Sequence, residues 1–201
     1  MPGRPGTPPV ASRPPFADHA GATGASPAGR IEGCLGVDFG GVIVPRSVGA
    51  DDTSFFGARP LDTQAASGSL EALSRLRAYR FADRIFVVSK ASPRVEALTR
   101  AWMRHVGFHL RTGISEANLL FVRERCAKAE VCRTYGITHF VDDRLDILES
   151  MSSVPHRYLF APSDDLSTYS SLSVGVTIVR SWDELVRRLD DGNPAERRAD
   201  P

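Results

Sequence analysis

Adjacent carboxylates close one apolar run of this 201-residue chain: "THFVDDRLD", Thr138 to Asp146, passes from β-branched and aromatic residues straight to Asp142 and Asp143. Two such charges side by side repel each other. The pair is costly unless water at a surface turn or a divalent cation neutralises it. A second run, "LGVDFGG", ends on Asp38, and a third, "IFVVSKAS", ends on Ser89 followed by Lys90. Lys128 lies upstream of the Asp142–Asp143 run on an amphipathic stretch. Carboxylates from two segments suit a hard cation such as Mg²⁺, which takes oxygen ligands and keeps several waters. Asp38 with Asp142 or Asp143 could hold it. A hydroxyl, backbone N–H groups and an ammonium group suit a phosphate, and Ser89 and Lys128 supply them. A carboxylate can also attack phosphorus and form an aspartyl-phosphate. Gly40 and Gly41, directly after Asp38, let the backbone turn sharply against a ligand.

Each of these residues has a plainer reading as well. Asp38 before a glycine pair is an ordinary turn residue. Ser89 could serve a helix approach, and Lys128 shares its stretch with Arg123 and Arg125, as on a solvated face. Asp146 suits the first turn of a helix, where negative charge meets the dipole. His105 and His109 are four apart, but Gly107 between them interrupts a helical metal site, so they read as polar residues at a helix end. Arg111 and Thr112 lie in a loop from which they could reach a substrate. Trp102 and Trp182 read as packing residues.

The elements that must position these groups alternate in type. Strands are expected at "CLGVDF", "RIFVVS", "THFV", "HRYLF" and "GVTIV", with "NLLFV" a short strand or a buried turn. Helices are expected at "SLEALSRLRAY", with Leu70, Leu73 and Leu76 on one face, and at "SPRVEALTRAWMRHV", with Ser92 as N-cap and Pro93 opening the helix. Further helices are "RERCAKAEVCRTYG", ending near Gly136, "RLDILESM", and "SWDELVRRL", where Ser181 and Glu184 form a capping-box pattern. The alternation predicts an α/β domain with a mainly parallel sheet covered by helices on both faces. In such sheets active groups gather at the carboxyl ends of the strands, where Asp38, Ser89, Asp142 and Asp143 all fall.

Residues 1–30 are rich in Pro, Gly, Ala and Ser without apolar periodicity, and the expectation is disorder, as for the tail 191–201. The folded unit is then one domain over 31–190. A net charge of +1 gives no electrostatic case for nucleic acid or an anionic membrane. No apolar run approaches the ~20 residues of a membrane helix. The odd cysteines, Cys34, Cys126 and Cys132, lack a paired or metal-binding spacing; they read as small core thiols of a reducing, cytoplasmic compartment.

Taken in order, these segments resemble the four motifs of the haloacid dehalogenase-like (HAD) hydrolase superfamily. "VDFGGVIV" is similar to the first, with Asp38 in the nucleophile position; "FVVSKAS" to the second, at Ser89; Lys128 fits the third; and "HFVDDRLDIL" resembles the acidic fourth, with Asp146 a further candidate. The resemblance covers nearly all of Ile31 to Leu189. It implies a doubly wound, Rossmann-like fold and Mg²⁺-dependent phosphoryl transfer on a phosphorylated small molecule or macromolecule. It also implies catalytic roles for Asp38 and Lys128 and substrate contacts from Ser89, Lys90 and Gly41. The metal would be held by Asp38, the Gly40 carbonyl, Asp142 and Asp143.

The first motif departs from the phosphatase pattern. Those enzymes carry Asp-x-Asp, the second Asp serving as general acid and base, and here Gly40 stands in its place. General acid–base help is typically worth ~10²–10⁴ in rate. The departure predicts slow hydrolysis, unless Asp51 or Asp52 substitutes, or a catalytically impaired protein that binds phosphate or nucleotide in a regulatory role. Neither Val44–Ser67 nor Ala91–Lys128 reads as a cap domain, so the site is expected to be open.

Overall fold

The computed structural model describes residues 33–46, 56, 59–162 and 175–191. The expectation of disorder at 1–30, and at 191–201 apart from Asp191, which ends the last helix, and the candidates Asp51 and Asp52 lie outside the described residues. Six strands form one sheet: β1 (Leu35–Val37), β2 (Ile85–Lys90), β3 (Leu119–Val122), β4 (His139–Asp142), β5 (His156–Phe160) and β6 (Val176–Val179). Their order is β3-β2-β1-β4-β5-β6, and every pairing is parallel. Val37 stands opposite both Val87 and Val141, which brings the carboxyl ends of β1, β2 and β4 to one level.

The helices are α1 (Ser69–Leu76), α2 (Pro93–His105), α3 (Phe108–Thr112), α4 (Ala127–Thr134), α5 (Leu145–Ser150) and α6 (Trp182–Asp191). The alternation of side chains along the strands splits the interior into two apolar clusters, one on each face of the sheet. On one face Leu35, Val37, Ile85, Val87 and Val141 meet Leu70, Leu73 and Leu76 of α1, Trp102 of α2, Phe108 of α3 and Leu185 of α6. On the other, Phe86, Val88, Phe140 and Leu159 meet Cys132 of α4 and Ile147 and Leu148 of α5. Helices on both faces require strands without a polar side, which is why β1, β2 and β4 read as continuous apolar runs.

Local signals act as expected at several ends. The Ser92 hydroxyl accepts from the Val95 N–H at 3.3 Å, with Pro93 opening α2. At α6 the Ser181 hydroxyl accepts from the Glu184 N–H at 3.1 Å, while the Glu184 carboxylate reaches one residue further back, to the Arg180 N–H at 2.9 Å. "NLLFV" is a strand, at the edge of the sheet. The stretch "GFHLRTGISEANLL" is not one loop: it contains α3, bounded by Gly107 and Gly113 at φ 67° and 72°. Its apolar Phe108 and Ile114 are buried against the core, and that burial outweighs the weak helical pattern. Cys34 and Cys132 are core thiols, whereas Cys126 is exposed at the approach to α4. Among the described residues no cap domain stands over the sheet, and no helix is long and apolar enough to cross a membrane.

Candidate active site

The sheet reverses direction at β1. From it the chain builds outward through β2 and β3, then crosses back by α4 to β4, on β1's other side. A crevice opens at the carboxyl ends wherever such a reversal occurs, and ligands of open α/β sheets bind there. Asp38 follows β1 and keeps the ladder going, its N–H donating to the Val141 carbonyl at 2.9 Å. Asp142 ends β4, and Asp143 follows it. One carboxylate oxygen from each of Asp38, Asp142 and Asp143 lies within 4.8 Å of the others.

Lys128 closes the cluster from the α4 side. Its Nζ sits 3.0 Å from Asp38 Oδ1 and 2.8 Å from Asp142 Oδ2, and the residue is only 2% exposed. The solvated-face reading of Lys128 therefore fails: α4 turns this residue toward the sheet. The ammonium also lies 5.8 Å from the centre of the Phe140 ring. That ring crosses β1 at Gly36, where any Cβ would collide with it. Asp38 Oδ1 further accepts from the Phe39 N–H at 2.7 Å, and Asp142 Oδ1 accepts from the Arg144 N–H at 3.0 Å.

Electrostatics follow from this crowding. Burial alone would pull the Lys128 pKa down, but the carboxylates of Asp38 and Asp142 outweigh it and hold the ammonium charged, above its ordinary range. Burial pushes Asp142 up to about 7, with the Asp38 charge adding to the rise and Lys128 opposing it. Asp143 is raised by burial and by Asp38, against Arg46.

The turn that carries Gly40 and Gly41 is held from several directions. The Phe39 carbonyl accepts from the N–H groups of Ile43 and Val44 at 2.9 and 3.0 Å. The Ile43 carbonyl accepts from the Ala66 N–H at 2.8 Å, and the Val42 carbonyl from the Trp182 indole N–H at 3.1 Å. Phe39 packs edge-on against Trp102 at 5.3 Å, and Trp102 donates to the Thr63 carbonyl at 2.7 Å. Both tryptophans are thus packing residues that also pin backbone. Gly41, at φ 81°, has no room for a side chain, because a Cβ would overlap the Asp143 carboxylate.

Ser89 and Lys90 end β2 at the same rim, Ser89 buried and Lys90 half-buried. Among the described residues no hydrogen bond joins either to the carboxylate cluster. Asp146 stands apart from that cluster: Arg144 holds its two oxygens at 3.1 and 3.0 Å and keeps its carboxyl below the usual range. Arg111 pairs with Glu71 of α1 at 2.8 Å, and the buried Thr112 hydroxyl donates to the Phe108 carbonyl at 2.8 Å, so neither faces the site. His109 Nδ1 lies 2.7 Å from the Ile114 carbonyl, a helix-end role. Sequence reasoning missed Arg46. Its Nε donates to Asp143 Oδ2 and its Nη2 to the Asp143 carbonyl. The only signal was a cation shortly after the first apolar run, which by itself points nowhere.

The donor set tests whether a metal belongs here. Three carboxylate oxygens are the hard ligands Mg²⁺ takes. Among the described residues they face two side-chain cations, Lys128 and Arg46, so with all three ionised one negative charge is left for a further cation. The residues fit a divalent cation.

No protein-family model matches the sequence, and no curated protein does. Solved structures match the fold. D,D-heptose 1,7-bisphosphate phosphatase from B. bronchiseptica, complexed with magnesium and phosphate, aligns with a TM-score of 0.58 at 15% identity, over 80% of this chain and 99% of that one. The same enzyme from Burkholderia thailandensis aligns with a TM-score of 0.52 at 18% identity, over 79% and 98% of the two chains. The chain shares the fold of these phosphatases. Its sheet, with β1 at the reversal and both faces covered by helices, is that doubly wound architecture.

Proposed function

We propose that this chain is a HAD-like phosphohydrolase or phosphotransferase that uses Mg²⁺ and works through an aspartyl-phosphate at Asp38. The observation that carries the reading is Lys128 clasped between Asp38 and Asp142 at the reversal of the sheet, with Asp143 alongside. Both polar contacts of Asp38 fall on Oδ1, so Oδ2 is the oxygen to attack phosphorus. The new Oδ2–P bond forms as the bond to the leaving oxygen breaks; water then attacks phosphorus and returns the free carboxylate. Lys128 balances the charge on Asp38 and on the phosphoryl oxygens. Ser89 and Lys90 orient the phosphate, while Gly41, whose N–H donates to the Val44 carbonyl at 2.7 Å, shapes the turn beside it. Asp38, Asp142, Asp143 and the Gly40 carbonyl are the groups that would hold Mg²⁺, which supplies charge neutralisation on the phosphoryl oxygens. With glycine at position 40 the leaving oxygen takes its proton from water or from the substrate. Good leaving groups are therefore favoured, and a rim that no described element caps leaves room for a bulky phosphorylated small molecule or macromolecule.

Phosphate release from an aryl phosphate with Mg²⁺ tests this. Asp38→Asn is expected to fall to the uncatalysed background, and equal rates in the two proteins would refute the nucleophile. Gly40 also favours a second reading, a phosphate- or nucleotide-binding regulatory protein without turnover. Calorimetric binding of phosphate with no product over hours would select it.

A further inference from the structure

Of the two cations at the carboxylate cluster, only one has somewhere else to go. The Lys128 side chain is 3% exposed and locked between two carboxylates. The Arg46 side chain is 57% exposed, while the Asp143 carboxylate it holds is 10% exposed. Arg46 therefore reaches in from solvent and covers a buried ligand oxygen. It does so two residues after Val44, whose N–H and carbonyl are both fixed in the Phe39–Val44 turn. The guanidinium makes a two-pronged grip, on Oδ2 and on the backbone carbonyl of the same residue. Such a fork holds two acceptors of one residue at once, which a point charge cannot do.

We infer that Arg46 stands in for the divalent cation at Asp143, so that metal binding must displace it. This rests on the proposed metal site. Charge balance explains the exchange. Counted as ionised, the state a bound cation requires, the three carboxylates retain one net negative charge beside Lys128 and Arg46. A divalent cation arriving while Arg46 stayed would overshoot to net positive, whereas one that evicts Arg46 leaves the cluster neutral. The evicted guanidinium then stands at the mouth of the site, with donors suited to a phosphate.

The test is Mn²⁺ binding to the full-length apo protein, followed by the electron paramagnetic resonance of free Mn²⁺. Arg46→Gln should bind about two- to fivefold tighter than wild type, the scale expected for removing a partly exposed competing pair. Arg46→Lys, which keeps charge but not the fork, should fall between the two and serves if the glutamine variant does not fold. In an Asp143→Asn background, Arg46→Gln should change nothing. Equal or weaker Mn²⁺ binding by Arg46→Gln, with wild type binding normally, overturns the role of Arg46 and leaves the metal site standing. Binding by none of the proteins removes the metal site and this inference with it.

Discussion

Lys128 Nζ lies 2.8 Å from Asp142 Oδ2 with both side chains all but sealed from solvent. Breaking a buried pair by removing one partner typically costs ~3–5 kcal/mol, because the other charge is left unpaired. Lys128→Met should lower the urea-unfolding free energy by an amount on that scale, since two carboxylates lose their counter-ion together. Mg²⁺ should restore part of it. A loss below ~1 kcal/mol would mean that the ammonium is not the cluster's principal counter-charge.

Gly40 offers a gain-of-function experiment. Its φ is outside the left-handed range, unlike that of Gly41, so a side chain strains no backbone there. Gly40→Asp should raise turnover of alkyl phosphates, which leave poorly, by ~10–10²-fold, a fraction of what a positioned acid supplies. Aryl phosphates, which need no proton, should gain little. No gain on either class would place the deficit elsewhere than in the missing acid.

Gly41 and Gly107 both sit at positive φ, but only Gly41 faces an obstacle. A left-handed residue with a Cβ costs roughly 1–2 kcal/mol, which is the expected loss for Gly107→Ala. Gly41→Ala should cost more, and it should also weaken Mn²⁺ binding, because the new methyl group pushes Asp143 aside. Thermal melts of the two variants side by side, with Mn²⁺ titrations, separate backbone strain from this specific collision.

At the far end of the sheet His139 is buried, its ring 4.5 Å from that of His156 and edge-on to Phe81. Burial, with His156 and Arg80 adding to it, pushes its pKa down to about 3. The unfolded chain then binds a proton near pH 6.5 that the folded chain refuses. Stability from this group is complete above about 6.5 and drains away as pH falls toward 3. At pH 5 the protein should be about 2 kcal/mol less stable than at pH 7.5 on this account. His139→Phe should flatten that slope in urea titrations at the two pH values, and an unchanged slope would assign the acid sensitivity to other groups.

Much of the site was legible because strand ends are local facts. "LGVDFGG" and "HFVDDR" each announce where an apolar run stops, and the parallel sheet brings those stops together. Helix caps such as Ser92 were legible for the same reason. Lys128 was ambiguous because its stretch carries several arginines, and only the docking of α4 beside Phe140 turns the lysine inward. The helix α3 was hidden because its stability comes from Phe108 packing against distant elements, not from its own five residues. Arg46 was invisible for a similar reason: its partner lies 97 positions away.

The indole of Trp182 meets the carbonyl of Val42 across 140 positions of chain. The turn beside Asp38 is thus moored to the last described helix, and a ribosome must have made the chain through Trp182 before that mooring exists. Chemistry at Asp38 should accordingly be a late acquisition in folding. Trimming α6 from the carboxyl side should abolish the proposed phosphatase activity before it dismantles the sheet.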